Sequence, residues 1–330
     1  MRTSVFGSCL FEASRDRRMR SAVFVAMVAT VVMTVAVSCV ATTHSATTHA
    51  DTKPVRTAPP PLDYVALGSS YAAGPVIAPV VDANCTRSGA NYPHQVAERL
   101  NYRLTDRSCS GATSASILDT PHVPNFGLGA PVPPQIDSVT PETDLVTVTI
   151  GGNDVDYMGR LVANSCATVF ERAHPRPPEG AYVKFCGRAG APPSSEPSPA
   201  DYDKVEDSAV AIVDAIKARS PMARIVFVDY LPVVAANGAL CDVVPLTPER
   251  AASTVRVHRA VAEATGRAAA KTGSQLVRAS DLGKGHGACS KDPWVAGFEI
   301  IQRNSGGAVF YHPNAAGMSA VADQITRQIG

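Results

Sequence analysis

The chain has almost no net charge: 30 Lys and Arg stand against 29 Asp and Glu, a formal balance of +1 at pH 7. It therefore lacks the basic excess by which proteins neutralise nucleic-acid phosphates, and no nucleic-acid partner is expected. No Cys-x-x-Cys occurs although there are 8 cysteines, so the paired thiolates of a typical structural zinc site are missing. No repeat, no heptad pattern and no second hydrophobic span follow the apolar run near the N-terminus. That argues against a solenoid, a coiled coil and a multi-pass membrane protein.

What is present begins with a targeting pattern. Arg15, Arg17, Arg18 and Arg20 precede Ala22 to Val37, a stretch that is apolar except for Thr30 and Thr34. It is too short and wrongly flanked for a membrane helix, and residues 1–40 read as a signal peptide, with Met19 an alternative start. Val35-Ala36-Val37-Ser38-Cys39 resembles a lipoprotein box. Cys39 would then be lipidated and the chain held at a membrane; Ala36 stands where the box usually has Leu, and plain secretion is the other reading. Residues 41–61, rich in Thr, Ala and Pro, form a flexible spacer. Residues 62–330 are long enough for one domain with a full core.

Setting aside Cys9 and Cys39, the cysteines are Cys85, Cys109, Cys166, Cys186, Cys241 and Cys289. An even number fits an exported protein in an oxidising compartment, but leaves the connectivity open. A metal site around His286 and Cys289 is the competing reading, and it has no second ligand pair nearby. No metal and no cofactor are expected.

Short β-rich runs alternate with helical stretches: strands at 63–67, 145–150, 224–229 and 275–279, helices at 91–101, 202–218 and 248–271. Such alternation predicts an α/β fold, a parallel sheet covered on both faces. Met318, Val321, Ala322, Ile325 and Ile329 recur at helical spacing, giving a closing amphipathic helix capped near Asn314. Segments 166–200 and 231–247, the latter with Pro232, Gly238 and Pro245, break the pattern. They are expected to be loops over the carboxyl edge of the sheet, walling a substrate cleft.

Ser70 lies in Leu67-Gly68-Ser69-Ser70-Tyr71-Ala72-Ala73-Gly74, directly after the run Tyr64-Val65-Ala66-Leu67. A hydroxyl is thus placed at the carboxyl end of the first strand, where open α/β sheets hold their chemistry. Ile150-Gly151-Gly152-Asn153-Asp154 follows a later strand, and Tyr311-His312-Pro313-Asn314 precedes the last helix. Each piece alone is an ordinary turn. In this order they offer a nucleophile, a neutral amide donor and a base.

With Ser108-Cys109-Ser110-Gly111-Ala112-Thr113 added, these blocks resemble the SGNH (GDSL-type) serine ester hydrolases over most of residues 62–330. The resemblance implies a three-layer α/β/α sandwich with a mostly parallel, flavodoxin-like central sheet, and a monomer acting on an acyl-ester substrate. It implies Ser70 as nucleophile and His312 as base, with an oxyanion hole from the N–H groups of Ser70 and Gly111 and the Asn153 amide. It also implies disulfides between neighbours: Cys85 with Cys109, Cys166 with Cys186, Cys241 with Cys289. An α/β-hydrolase is disfavoured, because Ala72 replaces the last glycine of its Gly-x-Ser-x-Gly elbow.

Two positions depart from the family. Ser69 stands in place of the usual Asp, and Val309, three residues before His312, in place of the triad acid. The backbone carbonyl of Val309 is the expected orienter of the histidine, with Asp292 the alternative acid. His286 is the rival base, whereas His44, His49, His94, His122, His174 and His258 belong to no motif. The departures also leave open a non-catalytic binding module of the same fold, and acyl transfer to an alcohol is open beside hydrolysis.

Overall fold

A computed structural model describes residues 60–75, 77–172, 186, 195–298 and 310–330. The proposed signal peptide, Cys39 and nearly all of the spacer lie outside the described residues. In chain order the elements are β1 (Asp63–Gly68), α1 (Ser70–Ala73), β2 (Val80–Asp82), β3 (Arg87–Ser88), α2 (Tyr92–Leu100), β4 (Arg103–Asp106), α3 (Ser114–Leu118) and α4 (Pro124–Gly127). Then follow β5 (Thr143–Thr149), α5 (Tyr157–Arg172), α6 (Pro199–Arg219), β6 (Arg224–Val228), α7 (Pro248–Thr272), β7 (Gln275–Val277), α8 (Ala279–Leu282) and α9 (Ala315–Ile329).

The main sheet has the order β4-β1-β5-β6-β7 with every neighbouring pair parallel. Its central strands are buried on both faces, as a parallel sheet between helical layers requires. Tyr64, Ala66, Val226 and Val228 share one core with Tyr92 and Val96 of α2 and Met318, Val321 and Ile325 of α9. The alternate residues Val65, Leu67, Val146, Val148, Ile225 and Phe227 pack with Ile117 of α3 and Ile212 and Ile216 of α6. The period of two in the strands thus sorts side chains into two helical layers. From β1 the chain crosses to β4 on one side, then returns past β1 to β5 on the other. The order reverses between β1 and β5, and the crevice beyond their carboxyl ends is where such sheets bind ligands.

Side chains cap helix starts, and the cap of α9 is the one expected from the sequence. Asn314 accepts from Gly317 N at 3.0 Å at the start of α9, and Asn91 accepts from His94 N at 3.1 Å at the start of α2. Several elements were not foreseen, the short α1, α3, α4 and α8 and the β2–β3 pair among them, and two others have plain physical reasons. Strand β4 is short and only partly buried, so it carries little apolar signal. Helix α5 occupies the first part of the segment expected as loop from residue 166, held by tertiary packing of Leu161 and Cys166 although Gly159, Asn164 and Ser165 are poor helix formers. Residues 173–185 and 187–194 of that segment lie outside the described residues. Segment 231–247 lacks regular structure, yet Leu231, Val233, Val244 and Leu246 are buried in the core, so it is packed rather than an open wall. Disulfides join Cys85 to Cys109, Cys166 to Cys186, and Cys241 to Cys289. The last of these removes the thiolate that a metal site near His286 would need.

Asp229, just past β6, is 2% exposed and accepts from Ser280 N and Oγ, both at 2.7 Å. Burial pushes its carboxyl up to about 6 from 3.8, against the opposing pull of the Ser280 bonds. The folded chain therefore holds a proton that the unfolded chain releases, so this stabilisation is present below pH 3.8 and lost as pH rises through about 6. Asp229→Asn cannot ionise and should remove the slope. Denaturant unfolding should show the variant gaining on the wild type by up to about 3 kcal/mol between about pH 4 and about pH 7. A difference that does not change with pH would contradict this.

Candidate active site

The carboxyl end of β1 is closed by close packing. A Cβ at Gly68, whose φ is +153°, would lie 2.6 Å from the Thr149 carbonyl oxygen on β5, so a side chain is sterically barred. The Gln135 side chain takes both backbone groups of Gly68, accepting from N at 2.7 Å and donating to O at 2.9 Å. Ser69 N donates to Thr149 O at 3.0 Å, and the chain then turns into α1 with Ser70 as its first residue. Ser69, at the position where an aspartate was the family expectation, is buried, and its hydroxyl bonds to Tyr230, whose phenol burial pushes up to about 12.

Ser70 Oγ lies 2.7 Å from His312 Nε2, and His312 Nδ1 lies 2.6 Å from the carbonyl oxygen of Phe310. A carbonyl can only accept, so Nδ1 carries the hydrogen and Nε2 is left as the acceptor for the serine O–H. Ser70 and His312 are 7% and 9% exposed, which keeps the pair largely out of bulk water. The imidazole is fixed from its own segment as well. Ala296 N donates to His312 O at 2.9 Å, Val295 pairs with Pro313, and Asn314 Nδ2 donates to Pro293 O at 2.6 Å.

Among the described residues one group meets His312 Nδ1. It is the carbonyl of Phe310, two residues before the histidine; Val309 lies outside the described residues. Tyr311 has φ +59°, and this left-handed residue folds the preceding carbonyl back onto the ring that follows. For a non-glycine residue that conformation costs about 1–2 kcal/mol. Asp292 is not the orienter. Its side chain is 75% exposed, and its carbonyl and carboxylate oxygens lie 2.8 and 3.5 Å from His286 Nδ1. His286 in turn stacks on Trp294, with ring centroids 3.8 Å apart, in the loop that its flanking glycines suggested.

The Gly and Asn blocks are stitched together. Asn153, in the turn after β5, donates from Nδ2 to Ala112 O at 2.8 Å, and Asp154 accepts from Ser114 N at 3.1 Å. Burial raises the Asp154 carboxyl and the Ser114 bonds oppose it. Gly111 adopts φ +85°, and its loop is tied down by the Cys85–Cys109 bridge, by Ser110 N to Cys85 O at 3.1 Å, and by His122 Nε2 donating to Ser110 O at 2.9 Å. His122 is thus a support of this loop, a role the sequence did not signal. His258 is a half-buried histidine packed near the core, donating from Nε2 to Tyr230 O at 2.7 Å and held below its ordinary range by desolvation. A cavity of about 430 Å³ between α5 and α7 contains none of these blocks, and its Arg250 and Arg256 are paired with Glu171 and Glu196.

A parallel sheet with a buried serine–histidine pair at its switch point, beside an amide-bearing turn, is the arrangement of a serine hydrolase built on a flavodoxin-like α/β sheet. Residues 66–320 match the model of the GDSL-like Lipase/Acylhydrolase family. Lipase 2 of Streptomyces coelicolor is 32% identical over 292 residues, 83% of this chain and 88% of that protein. Among solved structures, an extracellular lipase from Streptomyces rimosus matches with TM-score 0.59 at 26% identity, and phospholipase A1 from Streptomyces albidoflavus with 0.56 at 25%. Each match spans 81% of this chain and 99% of the other. The chain belongs to the GDSL-like lipase/acylhydrolase family and is a carboxylic ester hydrolase.

Because Asp292 is exposed and serves His286, Asp292→Asn should leave kcat on an activated ester within about tenfold of wild type. A loss near about ten-thousandfold in folded protein, the scale set by a triad acid, would instead return Asp292 to the reacting histidine.

Proposed function

We propose that the protein hydrolyses acyl esters through an acyl-enzyme on Ser70, with His312 as base and then acid. The observation that carries this is the 2.7 Å contact between Ser70 Oγ and an His312 Nε2 left free of hydrogen by the Phe310 carbonyl. In attack, the serine oxygen bonds to the ester carbonyl carbon as its proton passes to Nε2, and the carbonyl oxygen becomes an oxyanion. The N–H groups of Ser70 and Gly111 and the Asn153 amide receive that charge. One Asn153 hydrogen is committed to Ala112 O, which fixes the amide plane and leaves the other for the oxyanion. Collapse expels the alcohol, which takes the proton from Nε2. Water then repeats the sequence and releases the acid. A carbonyl orients the imidazole but brings no full negative charge, so the imidazolium is less stabilised than beside a carboxylate. Ester leaving groups need less help than amines, and activated esters should be favoured over amides.

Ser70→Ala should abolish ester turnover and labelling by a fluorophosphonate, while thermal stability stays near wild type. Wild-type-like turnover by the variant would remove Ser70 from the mechanism, and a wild type that neither labels nor hydrolyses would be a binding module.

The substrate class we propose is acyl esters of lipids or small alcohols, supported by relatives named lipase and phospholipase A1. Ser70 and His312 come from one chain, in keeping with a monomer. Export is supported by the disulfides, by the extracellular relative and by the N-terminal pattern. Lipidation at Cys39 would then hold the enzyme at the membrane. If so, Cys39→Ala should move activity from the membrane fraction to the medium; an unchanged distribution would mean plain secretion.

A further inference from the structure

Tyr311 is the one non-glycine residue of the described His block with a left-handed backbone, and it lies between the orienting carbonyl and the histidine it orients. It is also completely buried. Two bonds hold it from separate parts of the fold. The Tyr71 hydroxyl, on the residue after Ser70, donates to the Tyr311 carbonyl at 2.6 Å. The Tyr311 hydroxyl shares a 2.6 Å bond with Ser165 Oγ on α5, and its ring packs on Phe298 with centroids 5.8 Å apart.

Unfavourable backbone conformations persist only where the surroundings over-determine them, and they gather where geometry matters to chemistry. Rotation about the Tyr311 N–Cα bond sets where the Phe310 carbonyl points relative to the imidazole. At an ordinary negative φ the carbonyl would leave Nδ1, and the tautomer that frees Nε2 would lose its selection. The Tyr71 bond also links the Ser70 turn to the His312 turn directly, so that movement of one is felt at the other.

We propose that Tyr311, anchored by Ser165 and Tyr71, is the positioning residue of the histidine: its side chain stands in for a triad carboxylate by holding the backbone that presents the Phe310 carbonyl to His312. This rests on the Ser70 and His312 reading above. Tyr311 is assigned no part in proton or acyl transfer, and it acts through the Phe310 carbonyl.

The test uses the full chain with its disulfides intact. Wild-type hydrolysis of a p-nitrophenyl ester and fluorophosphonate labelling first establish the underlying reading; absence of both would remove that reading and the inference with it. Tyr311→Phe, Ser165→Ala and Tyr71→Phe are then compared for kcat, KM, melting temperature and the downfield proton resonance of His312 Nδ1. Tyr311→Phe is isosteric and should fold, since Ser165 Oγ keeps its 2.9 Å bond to Leu161 O. Each single variant should lower kcat about tenfold or more with KM nearly unchanged, and should shift or broaden the Nδ1 resonance. Tyr311→Phe with Ser165→Ala should lose no more than either alone, because both remove one bond. Variants that keep kcat within about twofold and leave the resonance in place would overturn the proposal. So would losses that follow the melting temperature while the resonance stays unmoved, which would make Tyr311 a packing residue only.

Discussion

The rest of the site depends on the hydrogen bond between Ser70 Oγ and His312 Nε2, which joins residues 242 apart in the chain. Neither partner could hold the other alone. The serine is placed by β1, whose last residue is clasped by Gln135 and pressed against Thr149, and the histidine by a loop pinned to Pro293, Trp294 and Ala296 before the cap of α9. Both supports end at the carboxyl edge of one parallel sheet, where the strand order reverses. The fold is therefore what makes two distant polar residues neighbours.

Around that bond the protein uses backbone where a carboxylate is usual. The Phe310 carbonyl selects the tautomer without adding a charge to a nearly dry site, and so avoids the desolvation cost of a buried carboxylate. The cost appears elsewhere, as a left-handed tyrosine and a layer of buried phenols. Tyr71 stands 4.8 Å from Tyr230 and 5.3 Å from the His312 ring, and Tyr157 packs edge-on against Tyr230. Such rings bury much area with few rotamers, which suits a site whose geometry must not drift.

What was legible in the sequence is what is local. Strand β1 shows in four consecutive apolar residues, the cap of α9 in Asn314, and the candidate serine, asparagine and histidine in short motifs with fixed turn chemistry. The neighbouring disulfides came from family resemblance rather than spacing. What stayed hidden depends on tertiary contact. Gln135 is an unremarked glutamine until the fold lays it on Gly68, and His122 becomes a support only through the carbonyl of Ser110. That the Phe310 carbonyl meets the imidazole turns on one backbone angle at Tyr311, and no side-chain pattern encodes it. Asp292 was a candidate only because it is acidic and precedes the histidine; exposure and His286 account for it instead.

The central claim is that acyl groups pass through Ser70 before reaching water. Rapid acid quenching during turnover of an activated ester, followed by peptide mass analysis, tests this most directly. The account predicts an acyl mass increment on the peptide containing Ser70, formed in a burst and discharged on standing. An increment on another residue, or turnover with no covalent adduct under conditions where deacylation is slow, would contradict it.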